Sequence, residues 1–256
     1  VYHPVVAKLH FLGTGSVVSD PHRTTTMLAL DNAQELLLID CGGDAVPRLK
    51  ASGLDPLRLR HLIVTHEHAD HCAGFPLLME RLWVEGLRGE FHVHGLAPAL
   101  SQVRRIHEAF NTADWPEFPE VIWNEVKPEP GSAVFEGGGW HITSSSCVHP
   151  VPCIGLRATD RTSGAVLYYS ADTERHDAQL DAAHGADLIV HEATGPFPGH
   201  ASAAEAAALA AEAGAARLAL VHVPPAGPHR DADLAAAQGL FPGAFIADES
   251  STVGFR

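Results

Sequence analysis

Six residues, His66-Glu67-His68-Ala69-Asp70-His71, follow directly on the apolar run HLIVT at 61 to 65. That run is short and rich in branched residues, the pattern of a strand buried on both faces. In extended chain, side chains two apart point the same way, so His66 and His68 can reach one ion. Asp70 and His71, turning into the next element, can reach a second. A lone histidine is ordinarily a satisfied core residue. Three histidines and an aspartate at the end of a buried strand are a metal-binding pattern, because imidazole and carboxylate suit zinc and similar ions. The chain holds 18 histidines against 17 lysines and arginines together, and they are clustered, not scattered.

Around this segment, strand and helix patterns alternate. KLHFLG (8 to 13), TTMLAL (25 to 30) and LLLID (36 to 40) read as strands, and DAVPRLKASG (44 to 53) as a short helix that Pro47 should force to start late. A helix is expected from about Gly74, with Pro76 in its first turn, through LLMERLW. FHVHG follows as a strand and APALSQVRRIHEAF as a helix. EVIWNEV, WHITSSS, CIGLRAT and AVLYYS form a strand series, and strand–helix units built on LIVHEAT, LALVHV and AFIA close the chain. With no repeat and no low-complexity linker, residues 1 to 256 read as one domain. Two strand series, each with helices, imply two sheets packed face to face under outer helices, a layered α/β arrangement.

The 31 acidic residues against 17 basic ones give a net charge of −14, which argues against an extended nucleic-acid footprint. No apolar stretch approaches the roughly 18 to 20 residues of a membrane span, and the opening VYHPVVAKLHFLG lacks a signal-peptide pattern. The four cysteines show no CxxC spacing, so reduced thiols and a cytoplasmic location are expected.

THEHADH matches the HxHxDH signature of the metallo-β-lactamase superfamily, and further motifs of that family follow in order. His149 in CVHP matches the third histidine, Asp172 in YYSADT the bridging carboxylate, and His222 in LALVHV the last histidine. Asp40 in LLLIDCGG matches the aspartate that supports the site. Taken singly, Asp172 reads equally as a helix cap, His222 as a core histidine and His149 as a turn residue; the ordered set does not. The resemblance implies an αββα sandwich of two mixed sheets, and two divalent ions per chain, zinc or else manganese. It places His66, His68 and His149 on the first ion, Asp70, His71 and His222 on the second, and Asp172 between them; a homodimer is also implied. Asp172 stands where many class B β-lactamases carry Cys. His68 stands where diiron flavoproteins carry Glu.

FLGTGS (11 to 16), the run His191-Glu192-Ala193-Thr194 and His200 in GHASAAEAA resemble the ribonuclease Z branch, in which the later histidine assists catalysis. The match is to HST, and the middle residue is Ala201 here. PHRTTT (21 to 26) loosely resembles an RNA-contacting loop of that group. In the short bacterial form of that branch the tRNA-gripping arm lies between the third histidine and the bridging aspartate, and here that interval is 172 − 149 = 23 residues, which two strands and a turn fill. The chain therefore looks more like the small-substrate phosphodiesterases of the branch, although it lacks the extra Cys cluster of one of them.

Ser202-Ala203-Ala204-Glu205 reads as a capping box opening an Ala-rich helix, which sets His200 ahead of that helix's positive end. This disfavours the imidazolium by about 0.3 to 1 kcal/mol, while Glu192 would orient His200 or restore its proton affinity. The expected chemistry is attack on phosphorus by a hydroxide shared between two ions. Asp70 would align the attack and His200 would protonate the leaving alkoxide. His22 or Arg23 would hold a phosphoryl oxygen, and Trp115 and Phe118 would form an apolar rim unless they simply cover a core edge. The alternatives are a tRNA 3′-endonuclease, a lactone or carboxyl-ester hydrolase, and a non-catalytic metal-binding protein.

Overall fold

The computed structural model describes residues 7–18, 20–112 and 114–256. Residues 1–6 of the opening segment, read as lacking a signal-peptide pattern, thus lie outside the described residues. The first sheet collects β1 (Ala7–Gly13), β2 (Met27–Asp31), β3 (Leu36–Ile39), β4 (Leu59–Val64), β5 (Glu90–Gly95) and β6 (Glu120–Glu125). The second collects β7 (Ala133–Gly137), β8 (Trp140–Ser146), β9 (Ile154–Asp160), β10 (Val166–Tyr169), β11 (Leu188–Glu192), β12 (Leu218–Val221) and β13 (Ala244–Ile246). A last strand, β14 (Thr252–Phe255), returns to the first sheet beside β1, so the orders are β14-β1-β2-β3-β4-β5-β6 and β13-β12-β11-β10-β9-β8-β7. Both sheets are mixed: β3 to β6 run parallel, as do β10 to β13, and the other neighbours are antiparallel.

Parallel neighbours need crossovers, and helices supply them. They are α1 (Ala45–Ala51), α2 (Ala69–Cys72), α3 (Phe75–Glu85) and α4 (Ala97–Glu108) on the first sheet, and α5 (Gln179–Ala183), α6 (Ala203–Glu212) and α7 (Pro228–Leu240) on the second. Three apolar layers result. Leu9, Phe11, Ile63, Trp140, Leu167 and Val221 fill the space between the sheets. Leu38, Val64, Phe75, Leu82 and Val103 lie under the helices of the first sheet, and Tyr168, Leu209 and Leu220 under those of the second. This is the expected αββα sandwich. No helix among the described residues is long and apolar enough to cross a membrane.

Two local expectations change. Pro47 does not delay α1, which opens at Ala45; as the third helical residue, Pro47 lacks only an N–H that would have had no partner inside the helix. The segment 111 to 120 sits at the wrong end of the molecule to rim the histidine cluster. Because β5 and β6 are parallel, α4 carries the chain back to the start of β6, where Glu120 pairs with Glu90. The cluster lies beyond the opposite ends of these strands.

Candidate metal centre

Every motif residue leaves the carboxyl end of a strand or the loop beside one, the edge at which open α/β sheets bind ligands. Asp40 follows β3, His66 to His71 follow β4, Asp172 follows β10, Glu192 ends β11 and His222 follows β12. His149 comes from the β8–β9 turn. Three non-glycine residues here hold left-handed backbone: Asp40 (φ 59°), Ala171 (φ 51°) and His222 (φ 51°). Each costs on the order of 1 kcal/mol and is the kind of strain that clusters at functional sites. Gly42 admits the turn that carries Asp70, since a Cβ there would stand 1.8 Å from the Asp70 carbonyl oxygen.

The structure brings the predicted ligands together in overlapping sets: His66 with His68 and His149, Asp70 with His71 and His222, and Asp172 with His66 and His71. His68 Nδ1 lies 3.1 Å from His66 Nε2 and 3.2 Å from His149 Nε2. Nitrogens bound to a tetrahedral zinc at about 2.0–2.1 Å stand about 3.3 Å apart. In the second set, Asp70 Oδ2 is 3.3 Å from His222 Nε2 and 3.6 Å from His71 Nε2. Asp172 Oδ2 reaches both sets, at 3.4 Å from His71 and His222 and 3.9 Å from His66.

The outer hydrogen bonds decide which nitrogens face inward. His71 Nδ1 donates to Asp40 Oδ2 at 2.8 Å, and His149 Nδ1 donates to the Gly199 carbonyl at 2.8 Å. Thr194 Oγ1 donates to the His222 carbonyl and so receives His222 Nδ1–H, at 2.6 Å. Thr65 Oγ1 donates to Asp40 and receives His66 Nδ1–H at 3.0 Å. In the neutral tautomers that these contacts select, the Nε2 of each of these four rings is the nitrogen that offers a lone pair to the cluster. Two buried atoms there, His71 Nε2 and Asp172 Oδ1, have no hydrogen-bond partner. Lone pairs converging on one another, with buried acceptors unsatisfied, fit a divalent cation and little else.

The electrostatics agree. Burial, with His71 next, drives His66 well below its ordinary pKa, so it stays neutral. Burial also opposes charge on His71, but Asp172 and Asp40 outweigh it and hold that ring well above. Burial works against the Asp172 carboxylate, yet His222, His71 and His66 hold its pKa well below the usual range. The cluster therefore favours positive charge between its carboxylates.

His200 borders the cluster, its ring 5.2 Å from that of His149 and 5.7 Å from that of His222. Its Nδ1 donates to Glu192 Oε1 at 2.9 Å. Glu192 is fully buried and also receives the backbone N–H groups of Thr173 (2.8 Å) and Thr194 (3.1 Å). Burial lowers the proton affinity of His200, but Glu192 outweighs it and the net shift is upward. Between the helix end and the carboxylate, the carboxylate wins. The Ser202–Glu205 capping box is present.

The proposed substrate contacts fare differently. Arg23 donates to Thr14 Oγ1 and to the Ala247 carbonyl (2.9 Å), with Asp248 at 3.8 Å, so it ties loops together and is not free for a phosphoryl group. His22 is exposed, and no contact among the described residues joins either residue to the ligands. Trp115 and Phe118 pack on Trp83 at 4.9 and 6.1 Å, where Trp83 Nε1 donates to Pro116. They cover the outer edge of α3, which corrects the expectation of an apolar rim. The supporting roles of Thr65, Thr194 and the Gly199 carbonyl were missed. For the two threonines the available signal was a hydroxyl residue placed beside a ligand or motif acid.

Residues 36–223 match the family described as beta-lactamase superfamily domain. The chain is 26% identical to a protein named ribonuclease Z from Methanothermobacter thermautotrophicus, over 95% of both sequences. In fold it is similar to the metallo-β-lactamase fold protein YhfI from Bacillus subtilis (TM-score 0.80, 24% identity, 97% of this chain and 98% of that one). It is also similar to a diphosphatase of the PhnP family (TM-score 0.72, 19% identity, 98% of each chain).

Proposed function

The chain belongs to the β-lactamase superfamily domain family and is a hydrolase of it, and from that premise we propose that it is a dinuclear metal-dependent phosphodiesterase acting on a small or cyclic phosphodiester. The observation that carries this reading is His200, held by the buried Glu192 beside a convergent set of metal donors. His66, His68 and His149 would hold one ion and Asp70, His71 and His222 the other, with Asp172 between. Zinc suits these imidazole and carboxylate donors, and manganese is the alternative. Bound, such ions supply Lewis acidity and a nucleophile at neutral pH.

The protein's own groups supply the rest. His200 gives Nδ1–H to Glu192, so Nε2 is the atom left to deliver a proton to the departing alkoxide. Glu192 outweighs burial and raises the proton affinity of the ring, which favours the form that carries that proton. Asp40, through His71 directly and through Thr65 to His66, holds the tautomers that aim lone pairs inward. Asp70 would align the attacking group as well as bind metal.

Two features favour a small substrate. Between His149 and Asp172 the strands β9 and β10 form a tight hairpin, closed by Asp160 and Ala165, with no room for an arm. The alignment with the archaeal relative runs over 299 positions, so at least 299 − 256 = 43 have no counterpart in this chain. The relatives named ribonuclease Z favour a second reading, cleavage of precursor tRNA at its 3′ end.

The test is hydrolysis of bis-p-nitrophenyl phosphate by metal-loaded protein beside Asp172→Ala. Turnover lost in the variant is the expected result. No turnover with metal bound would overturn the reading and bring lactones and carboxyl esters forward. Cleavage of precursor tRNA in preference to small diesters would install the second reading.

A further inference from the structure

The loop Thr194–His200 separates two clefts. One, about 320 Å³, contains His200 and runs along Pro196 and Phe197. The other, about 600 Å³, lies between Thr194, Phe197, Pro224 and the first turn of α7, where His229 and Arg230 enter it. They share Pro196 and Phe197, and Thr194 is the residue that receives the Nδ1–H of His222. The larger cleft is thus linked to His222 through Thr194 and adjoins the cleft that contains His200. Its size is that of a small-molecule pocket, not a single-ion site.

Arg230 is the unexplained residue. Its side chain is 17% exposed, and its Nε is buried without a partner. The nearest carboxylate is its sequence neighbour Asp231, 3.9 Å away and 71% exposed. Asp233, also on this wall, is engaged in accepting the Ala203 N–H at the start of α6. In a chain of net charge −14, this guanidinium has as counter-charge only that long pair with the exposed Asp231. It also sits, with His229, in the first turn of a helix, where the macrodipole opposes cations. Its position is poor for stability and good for meeting an anion, since a guanidinium presents a planar fork that matches phosphate. At the rim, Phe197 is 61% exposed, an aromatic face on which no ring among the described residues stacks.

We propose that this cleft receives the leaving half of the substrate, and that Arg230 recognises a second phosphoryl group on it while Phe197 stacks on its ring. The inference rests on the phosphodiesterase reading and narrows it to diesters whose leaving half is itself phosphorylated and carries a flat base. His229 lies beside Arg230 as a further donor.

The experiment compares dithymidylate with free ends against the same dinucleotide bearing one terminal phosphate, at the 5′ or the 3′ end, on metal-loaded protein. One terminal phosphate is expected to raise kcat/KM about ten- to a hundredfold, the range of a charged hydrogen bond. Arg230→Gln should bring that ratio near one and Arg230→Lys should keep part of it. A ratio near one in the wild type for both ends, or an unchanged ratio in Arg230→Gln, overturns the proposal. Calorimetry with thymidine 3′,5′-bisphosphate reads the subsite without turnover. Its affinity should fall in Arg230→Gln and in Phe197→Ala, the latter a change at an exposed position that the fold tolerates. If no diester is hydrolysed, bis-p-nitrophenyl phosphate included, the parent reading has failed. Calorimetry then decides the subsite alone, and affinity untouched by both variants sinks it.

Discussion

Asp40→Asn isolates the support beneath the metal centre without touching a ligand. Asp40 is fully buried and accepts from the Thr65 backbone N–H (2.8 Å), the Thr65 hydroxyl (2.9 Å) and His71 Nδ1 (2.8 Å). Asparagine is nearly isosteric and tolerates the φ of 59° found there, so the backbone has no reason to move. It keeps one acceptor oxygen and replaces the other with an NH₂ donor. Turned one way, that donor meets the Thr65 N–H; turned the other, it meets His71 Nδ1–H. In the second arrangement His71 can escape only by moving its proton to Nε2, the atom that faces Asp70 and Asp172.

Either outcome leaves a buried donor unmatched at a cost of about 1–3 kcal/mol. The tautomer change blocks a metal-binding nitrogen, so an affinity loss of about 10- to 100-fold is expected. Competition against a chromogenic chelator measures that affinity directly, and hydrolysis at saturating metal separates occupancy from chemistry. Asp40→Ala is the poorer probe, since alanine at positive φ adds strain of its own. A folded Asp40→Asn protein that binds metal within twofold of the wild type would refute the reasoning.

Other outcomes follow from the same geometry. His200→Ala should lower kcat about 10²- to 10⁴-fold on diesters with alkyl leaving groups. The loss should be far smaller on bis-p-nitrophenyl phosphate, whose leaving group needs no proton; equal losses on both would remove the acid role. Glu192→Gln deletes the carboxylate that raises the His200 pKa, so the alkaline limb of the kcat profile should move to lower pH. Between the sheets, His61 and His94 are 3.2 Å apart, and burial holds each at a pKa of about 4. The unfolded chain then binds more protons below about pH 6.5. Stability from this pair should fall as pH drops from 6.5 toward 4 and level off below, and thermal melts of His61→Phe should show a shallower decline. Ser202→Ala breaks the capping box, costing about 1 kcal/mol and shifting Tm by about 2–4 °C, which calorimetry reads.

What could be read from sequence tracks how strongly local pattern and burial agree. HLIVT leads directly into His66 and LALVHV carries His222, and both runs hold strands whose residues before the site are buried on two faces. β7 and β14 escaped notice because each is a short edge strand with a single neighbour, the first ending in a glycine and the second interrupted by one, so neither alternation nor a buried run marks it. Trp115 and Phe118 misled because composition identifies an aromatic cluster but not which end of a sheet it occupies. Only the parallel β5–α4–β6 crossover decides that. Arg230 was invisible for the opposite reason. A basic residue in a first helical turn is an ordinary surface feature until its missing partner and the adjoining cleft are seen.

The ligand cluster and the clefts beside it are under different constraints, and this bears on where substrate choice resides. The ligands hang from strand ends whose backbone is strained at Asp40, Ala171 and His222 and pressed against Gly42, with no slack for variation. Metal held by such a set would polarise a phosphoryl or a carbonyl oxygen alike, so the proposed ligands would not select the substrate. Selection must fall to the loops that follow the strands. One of these, the β9–β10 turn, is reduced to a tight hairpin. Another, 194 to 200, faces α7 across a cleft whose largely buried Arg230 is paired only at 3.9 Å with the exposed Asp231. In a chain of net charge −14, long polyanions are repelled by most of the surface. A small anion can still be drawn to a cleft that carries Arg230 and His229.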